Sequence, residues 1–331
     1  MTPADPSHRA LVSATPAFRS FANVAAMPHS SRPSPFRHLN ISRRVARWLA
    51  RQGRPFDLRA GLDLDRTTLE DEFRSRHQAV YVGDGIVLAR VLGRFKMYLR
   101  GDDVGFAGHV MMDGYWESWL TRFLIGRVEP GMVCVDVGAN FGYHTLALAH
   151  LCGPAGRVVA VEPNPMALEW LRRTMHLNGF RRRTRIEGVA LGDTPTGSLR
   201  LVWPAGEPKN ARVIKGKVSP PHLQSTTVPV TSLDRLLAEE DRVDFLKIDA
   251  EGAEVAILRG GLDTLRTHRP HLVLEYNPGR YEDAQALLGE LLDIYGAVAR
   301  LDITGDVLPI APRVAYEDRS GEDQLLYFGR P

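Results

Sequence analysis

Residues 132–164 read MVCVDVGANFGYHTLALAHLCGPAGRVVAVEPN, and this stretch decides the fold. Its first part, Val133–Val137, is a short apolar run rich in β-branched residues, which predicts a strand buried on both faces. The run passes through Asp136 into a glycine turn, and an apolar helical pattern follows. Residues 158–161 predict a second strand, which ends at Glu162. The order strand, glycine turn, helix, strand and acidic residue is typical of a nucleotide-binding βαβ unit.

The residues around the glycine turn indicate which ligand the unit binds. The turn, Gly138-Ala139-Asn140-Phe141-Gly142, lacks the dinucleotide fingerprint G-x-G-x-x-G. Asp136 lies just before it, where a carboxylate would repel a pyrophosphate but suits an ammonium group. Glu162 follows at roughly the spacing of 20 residues at which an acid holds ribose hydroxyls. S-adenosylmethionine carries a ribose and an amino group but no phosphate, so these residues favour it over NAD.

Composition excludes several classes of protein. The 331 residues are 44% hydrophobic and 24% charged, which is ordinary for a globular enzyme. A net charge of +3 is too small to indicate a nucleic-acid partner. The two cysteines, Cys134 and Cys152, are predicted to be buried hydrophobes in a reducing, cytoplasmic compartment rather than a disulfide or metal ligands. No apolar run is long enough to span a bilayer.

Ahead of the core the composition changes twice. Residues 1–40 are rich in Pro, Ser, Ala and Arg, which predicts a disordered basic tail and also resembles an organelle transit peptide. Residues 41–52 have the spacing of an amphipathic helix with arginines around its apolar face. Such a helix either docks on its own domain or lies on an anionic membrane surface. Residues 41–112 are predicted to be a helical and antiparallel β lead-in, with a helix at 68–76 and strands at 80–82, 86–88 and 95–99.

Residues 113–331 are predicted to form the main domain, in which helical and strand patterns alternate. Residues 199–230 break the alternation and predict a loop-rich insertion with edge strands, the kind of segment that tends to determine substrate specificity. The remaining predicted strands are 184–189, followed by Ala190 and Leu191, then 243–248, 272–275, 298–303 and 324–328. The remaining predicted helices are 166–178, 253–259 and 284–295, with a further one beginning near 231.

Acidic residues mark the edge of the predicted sheet where the strands end. Asp249 and Glu251 follow the strand 243–248 and face the same crevice as Asp136 and Glu162. Such a pair can orient a hydroxyl and take its proton, or one member can cap the helix that begins near 253. The pair could also hold a cation, but no third or fourth ligand is evident at a recognisable spacing, so no metal-ligating residues are assigned and the use of a metal stays open.

At this point the residues resemble a family, the FkbM-family methyltransferases. The likeness covers roughly residues 115–327. It implies a class I, Rossmann-like α/β fold with a seven-stranded, mostly parallel sheet that ends in an antiparallel hairpin. The blocks that carry it are Asp136-Val137-Gly138-Ala139-Asn140-Phe141-Gly142, Glu162-Pro163-Asn164, Leu177-Asn178-Gly179, Ala190-Leu191-Gly192-Asp193, Lys247-Ile248-Asp249-Ala250-Glu251-Gly252 and Leu258-Arg259-Gly260.

The resemblance also implies a function and a set of site residues. It implies S-adenosyl-L-methionine as methyl donor and usually O-methylation of a hydroxyl on a sugar, glycan or polyketide-like metabolite. Glu162 would hold the ribose hydroxyls, Ala190 and Leu191 would approach the adenine, and Asp249 and Glu251 would lie where the methyl group is transferred. Asp249 is the candidate base. The cofactor-binding residues that it implies are Glu117, Asp136, Gly138, Asn140, Gly142, Glu162, Pro163, Asn164, Ala190 and Leu191.

Three other classes of function stay open. A non-catalytic adenosyl-binding module would keep the region from Asp136 to Glu162 and not need Asp249 or Glu251. A nucleotide-dependent oxidoreductase would need a turn that admits a pyrophosphate, and Asp136 argues against it. A membrane-surface adaptor would act through the arginine-rich helix at 41–52.

Overall fold

A computed structural model describes residues 54–204, 211–214 and 222–329. The predicted tail at 1–40 and the predicted amphipathic helix at 41–52 lie outside the described residues. Among the helices in the described ranges, none combines the length and the apolar character needed to cross a membrane.

The lead-in has the predicted helix and antiparallel strands. A 3₁₀ helix comes first, and the α-helix after it begins where the Asp65 side chain accepts a hydrogen bond from the Thr68 N–H at 2.8 Å. The strands pair as consecutive antiparallel neighbours. The elements are the 3₁₀ helix Leu58–Asp63, α1 (Arg66–Arg76), β1 (Gln78–Gly83), β2 (Ile86–Val91) and β3 (Phe95–Arg100).

From residue 107 onward the described chain contains both strands and α-helices, and several elements of one kind follow each other directly. The helices are α2 (Ala107–Asp113), α3 (Ser118–Arg127), α4 (Tyr143–Leu151), α5 (Pro165–Leu177), α6 (Leu233–Leu237), α7 (Glu254–Arg259), α8 (Leu262–His268), α9 (Ala284–Tyr295) and α10 (Pro312–Tyr316), with a 3₁₀ turn at Pro278–Arg280. The strands are β4 (Val133–Val137), β5 (Arg157–Val161), β6 (Thr184–Glu187), β7 (Ala190–Leu191), β8 (Gly197–Pro204), β9 (Arg212–Ile214), β10 (Leu223–Thr231), β11 (Phe245–Ile248), β12 (His271–Tyr276), β13 (Ala299–Leu301), β14 (Val307–Pro309) and β15 (Gln324–Phe328).

The main sheet has the order β14-β13-β15-β12-β11-β4-β5-β6. Its central strands run parallel, and β15 lies antiparallel between β12 and β13. This arrangement confirms the Rossmann-like class I fold and the closing antiparallel pair. The sheet has eight strands where the sequence predicts seven. The additional strand, β14, pairs only three residues with β13, and a run that short has no readable pattern.

A second sheet, of order β7-β10-β8-β9, corrects two predictions. The predicted loop-rich insertion contains two long strands, since β8 and β10 pair antiparallel along eight residues each. Leu201, Trp203, Val228 and Val230 form a small apolar cluster with Ala190, and burial of this cluster stabilises strands that contain or border prolines. Ala190 and Leu191 do not extend β6 but form β7, which pairs in parallel with β10.

The central strand β4 is buried along its whole length, as predicted. Cys134 faces one hydrophobic cluster, and Val135 and Val137 face the cluster on the other side of the sheet. Cys134 and Cys152 are both buried and free, which agrees with their predicted role as small hydrophobes.

The glycine turn after β4 determines how closely β11 can approach. Gly138 has φ +74°, and its N–H donates to the carbonyl oxygen of Val161 at 3.0 Å. A Cβ at this position would lie 1.7 Å from the carbonyl oxygen of Asp249. The turn therefore tolerates only glycine, and its tight contact places Asp249 beside the end of β4.

We expect Gly138→Ala to lower the free energy of unfolding by at least about 3 kcal/mol or to prevent folding, because backbone strain and a steric overlap add together. Gly179→Ala is the matched control, because its φ is +75° but nothing lies within 4 Å of the added Cβ. It should cost only the strain, about 1–2 kcal/mol. Urea unfolding of both variants measures the difference, and equal losses would contradict the packing argument.

Candidate active site

One pocket lies at the carboxyl ends of β4, β5, β11 and β12, where the second sheet and the residues before α3 cover it. Its apolar wall includes Phe106, Trp116, Phe141, Leu201 and Val213. Most of the predicted site residues meet here, although they are far apart in sequence. Those that line the pocket are Glu117, Gly138, Asn140, Glu162, Pro163, Ala190, Leu191, Asp249 and Glu251.

Glu162 connects the turn after β4 with the start of α5. Its carboxylate accepts hydrogen bonds from the N–H of Asn140 at 2.8 Å and from the N–H of Asn164 at 2.7 Å. Burial raises the pKa of Glu162 to about 7, against the opposing effect of these two bonds. A carboxylate has about four acceptor positions, so two remain for ligand hydroxyls.

Asn164 and Gly142 lie behind the pocket wall rather than in it. The Asn164 side chain accepts a hydrogen bond from the Met166 N–H at 3.1 Å and so caps α5. Gly142 has φ +94°, and a Cβ there would lie 2.6 Å from Leu171 Cδ1. Both residues hold α5 in place, and α5 in turn supports the wall that the ligand would meet.

Asp136 is also absent from the lining, because it is fully buried beneath it. Its Oδ2 accepts a hydrogen bond from the Thr145 hydroxyl at 2.6 Å, and its Oδ1 lies 3.8 Å from Lys247 Nζ. Burial raises the pKa of Asp136, while the charge of Lys247 opposes that rise. The sequence predicts a ligand ammonium next to Asp136, but the ammonium beside it in the structure is that of Lys247.

Lys247 is the cation that the sequence analysis missed. It is 2% exposed, and its Nζ donates to Asp249 Oδ2 at 3.0 Å. Burial alone would lower the pKa of Lys247, but the charges of Asp249 and Asp136 outweigh it and raise the pKa above its usual range. The sequence feature that could have revealed this role is the single lysine in the buried strand FLKI, because a fully buried lysine needs an oppositely charged partner.

Asp249 and Glu275, the acids at the carboxyl ends of β11 and β12, have opposite protonation states. Burial would raise the pKa of Asp249, but the neighbouring Lys247 lowers it below the ordinary value. Burial raises the pKa of Glu275 to about 9, and the charge of Asp249 adds to that rise. Glu275 also lines the pocket. The sequence analysis named its strand without giving it a role, because only the pairing of β11 with β12 brings the two acids together.

His144 is a second residue that the sequence analysis missed. It lies in the first turn of α4 and lines the pocket, and its Nε2 is buried 3.6 Å from Glu117 Oε2 without a hydrogen-bond partner. Burial, followed by the charge of Lys247, lowers the pKa of His144 to about 3, so the imidazole is neutral. The sequence feature that could have revealed His144 is its position as a polar residue near the start of the apolar helix YHTLALAHL.

The turn before α7 is held by a residue other than the predicted caps. Glu254 Oε1 accepts hydrogen bonds from the N–H of Ala250 at 2.9 Å and from the N–H of Gly252 at 3.1 Å. Ala253 occupies the N-cap position of α7, and no side chain caps that helix. The prediction that Asp249 or Glu251 caps it is therefore wrong, and both acids line the pocket. Within the described ranges, no group of three or more His, Cys, Asp or Glu is arranged to hold a metal ion.

The strand order, the glycine turn and the acid at the end of β5 define an α/β domain of the class I methyltransferase type. Residues 136–300, about half of the chain, match the methyltransferase FkbM domain. The chain therefore contains a domain of the FkbM family. The match confirms the predicted resemblance and S-adenosylmethionine as the cofactor of this class.

Curated relatives are similar to part of this chain. A protein-L-isoaspartate O-methyltransferase of Aeropyrum pernix is 29% identical over 161 residues, which are 42% of this chain and 61% of that protein. The corresponding enzyme of Methanothrix thermoacetophila is 39% identical over 70 residues, 21% of this chain and 31% of that protein. The chain spans less than two thirds of the length of these relatives.

Solved structures are similar to part of this chain at low identity. The methyltransferase FkbM of Methylobacillus flagellatus is 19% identical, with 64% of this chain and 54% of that chain covered and a TM-score of 0.39. An S-adenosylmethionine-dependent O-methyltransferase of Thermotoga maritima is 11% identical, with 66% of each chain covered and a TM-score of 0.34.

We expect Lys247→Met to lower the free energy of unfolding by about 3–5 kcal/mol at neutral pH, because it leaves two carboxylates beside each other without their cation. The loss should shrink in acid, where these carboxylates become protonated. Lys96→Met is the control, since Lys96 also lies in a strand but is exposed, and it should change stability by less than about 0.5 kcal/mol. Similar losses in both variants at neutral pH would contradict the proposed role of Lys247.

Proposed function

We propose that this protein is an S-adenosylmethionine-dependent methyltransferase that O-methylates a hydroxyl of a sugar, glycan or polyketide-like metabolite. The observation that carries the proposal is the single pocket that Glu162 borders on one side and Asp249 and Glu251 border on the other. One side offers acceptors for a ribose, and the other offers carboxylates for an acceptor hydroxyl.

The cofactor side of the proposed site is built largely from backbone and small residues. Gly138 and Asn140 would contact the methionine and ribose portions, and Pro163 would shape the adjoining turn. Ala190 and Leu191 are buried residues of β7 that line the pocket and would pack against the adenine. Asp136, Gly142 and Asn164 would act from behind by fixing the turns.

Transfer of the methyl group mainly requires alignment of the reactants and exclusion of water. In the proposed reaction, the S–C bond breaks as the acceptor oxygen forms a bond to the methyl carbon. The hydroxyl proton passes to Asp249, which Lys247 keeps ionised. Phe106 and Trp116 line the pocket and would help exclude water.

The charges around the pocket favour a neutral acceptor over a carboxylate. Glu117, Asp249 and Glu251 line it, whereas its buried cation Lys247 is already bonded to Asp249. These acids would repel a carboxylate such as the isoaspartyl group in the names of the curated relatives. They suit a hydroxyl, which can donate its hydrogen to a carboxylate.

Calorimetry with S-adenosylhomocysteine tests the cofactor assignment. We expect the wild type to bind it and Glu162→Ala to bind at least about tenfold more weakly, because hydrogen bonds to a charged group contribute about 1.5–3 kcal/mol. Glu169→Ala, which removes an exposed glutamate of α5, is the matched control and should leave affinity unchanged. Binding of NAD but not of S-adenosylhomocysteine by the folded wild type would overturn the proposed function.

The same affinity should depend on pH. Because the pKa of Glu162 is raised to about 7, its carboxyl is protonated below that pH and must lose a proton to accept both ribose hydroxyls. Affinity should therefore rise with pH and level off above about 7, and fall by up to about tenfold per pH unit below it. In Glu162→Ala this dependence should disappear. An unchanged dependence in the variant would show that another group controls binding.

A further inference from the structure

Two carboxyl groups lie side by side on the acceptor side of the pocket. In the parallel pairing of β11 with β12, Ile248 is opposite Leu274, so the next residues, Asp249 and Glu275, lie at the same level. Both line the pocket. Two carboxyl groups at the same level of neighbouring strands favour a state in which one of them is protonated, because two close negative charges repel each other.

The neighbouring cations determine which of the two carries the proton. Asp249 accepts a hydrogen bond from the buried Lys247 at 3.0 Å, which favours its ionised form. Glu275 has only a long contact of 3.4 Å from Arg280, and Arg280 also binds Asp323 at 2.9 Å. The negative groups that act on Glu275 are Asp249, Asp323, Glu251 and Glu254, and Arg280 is the cation beside it. Burial and these acids raise the pKa of Glu275 to about 9, so it is protonated at neutral pH.

We propose that Asp249 and Glu275 form a pair of one ionised and one protonated carboxyl group, which selects an acceptor with two neighbouring hydroxyl groups. An ionised carboxylate only accepts hydrogen bonds, whereas a protonated carboxyl group can donate one. Asp249 accepts the hydrogen of the attacking hydroxyl, and Glu275 donates to the oxygen of the hydroxyl beside it. Sugars present such pairs, so this inference rests on the proposed function and narrows its acceptor to a vicinal diol.

The reaction that follows is balanced without any further reactant. The attacking oxygen forms the new C–O bond while the S–C bond breaks, and the electron pair of that bond stays on sulfur. The proton of the attacking hydroxyl goes to Asp249, and Glu275 keeps its own. Glu275 thus determines specificity, and Asp249 assists the chemical step.

A first experiment compares two cofactor analogues and needs no acceptor. Sinefungin carries an amine where S-adenosylmethionine carries the reactive methyl, and S-adenosylhomocysteine carries nothing there. Asp249→Asn should lower the ratio of sinefungin to S-adenosylhomocysteine affinity at least about tenfold, because it removes a charge-assisted bond. Glu275→Gln, which imitates the protonated acid, should change the ratio by less than about threefold. Equal losses in the two variants would overturn the inference.

A second experiment uses methyl hexopyranosides and their monodeoxy counterparts as acceptors. For a glycoside that the wild type methylates, loss of the hydroxyl beside the attacking one should raise KM at least about tenfold. Glu275→Leu should raise KM similarly while kcat changes little, and Glu275→Gln, whose amide still donates, should restore most of that loss. Asp249→Asn should lower kcat instead. Equal turnover of glycoside and deoxyglycoside, or no turnover of any glycoside, would overturn the diol assignment.

A third measurement uses the wild type alone and applies even if the Glu275 variants fail to fold. Infrared spectra should show the carbonyl stretch of a protonated carboxylic acid between pH values of about 7, where Glu162 ionises, and about 9, where Glu275 does. Its absence in that window would overturn the pair. Failure of the wild type to bind S-adenosylhomocysteine is a separate outcome, which would overturn the proposed function itself and the inference with it.

Discussion

A single buried ammonium group, that of Lys247, joins the carboxyl ends of β4 and β11 beneath the pocket. It lies between Asp136 and Asp249, two acids that would repel each other without it. Burial keeps His144 neutral, and the charge of Lys247 adds to this effect. The same charge keeps Asp249 ionised, and the charge of Asp249 adds to the burial that favours the protonated form of Glu275. One cation thus influences the protonation states of three groups around the pocket.

The two sides of the pocket are built by different means. The cofactor side depends on backbone geometry, with a glycine turn and one acid held by two N–H groups, and these features are local in the sequence. The proposed acceptor side depends on side chains from β11 and β12 and on the second sheet. That sheet contributes Leu201 and Val213 to the pocket wall. A family that keeps the first side constant can change its substrates by altering the second.

The same division explains what the sequence predicted. Strand β4 and Glu162 were recognisable because their pattern and spacing lie within one continuous stretch. Lys247 and Glu275 were missed because their roles depend on strands that pair across long separations, and β14 was missed because it is too short to have a pattern. The second sheet was predicted only as a loop-rich insertion with edge strands, because β8 and β10 contain prolines and are stabilised by an apolar cluster that forms only after they pair.

The pairing of β4 with β11 also has a consequence for synthesis of the chain. The Asp244 carboxylate accepts a hydrogen bond from the N–H of Val133, a residue 111 positions earlier. While the ribosome makes the intervening segment, β4 lacks its central neighbour and Asp136 lacks its counter-ion. Such non-local contacts slow folding and expose apolar strand edges. The nascent polypeptide should therefore depend on chaperones until residues 245–248 have left the exit tunnel.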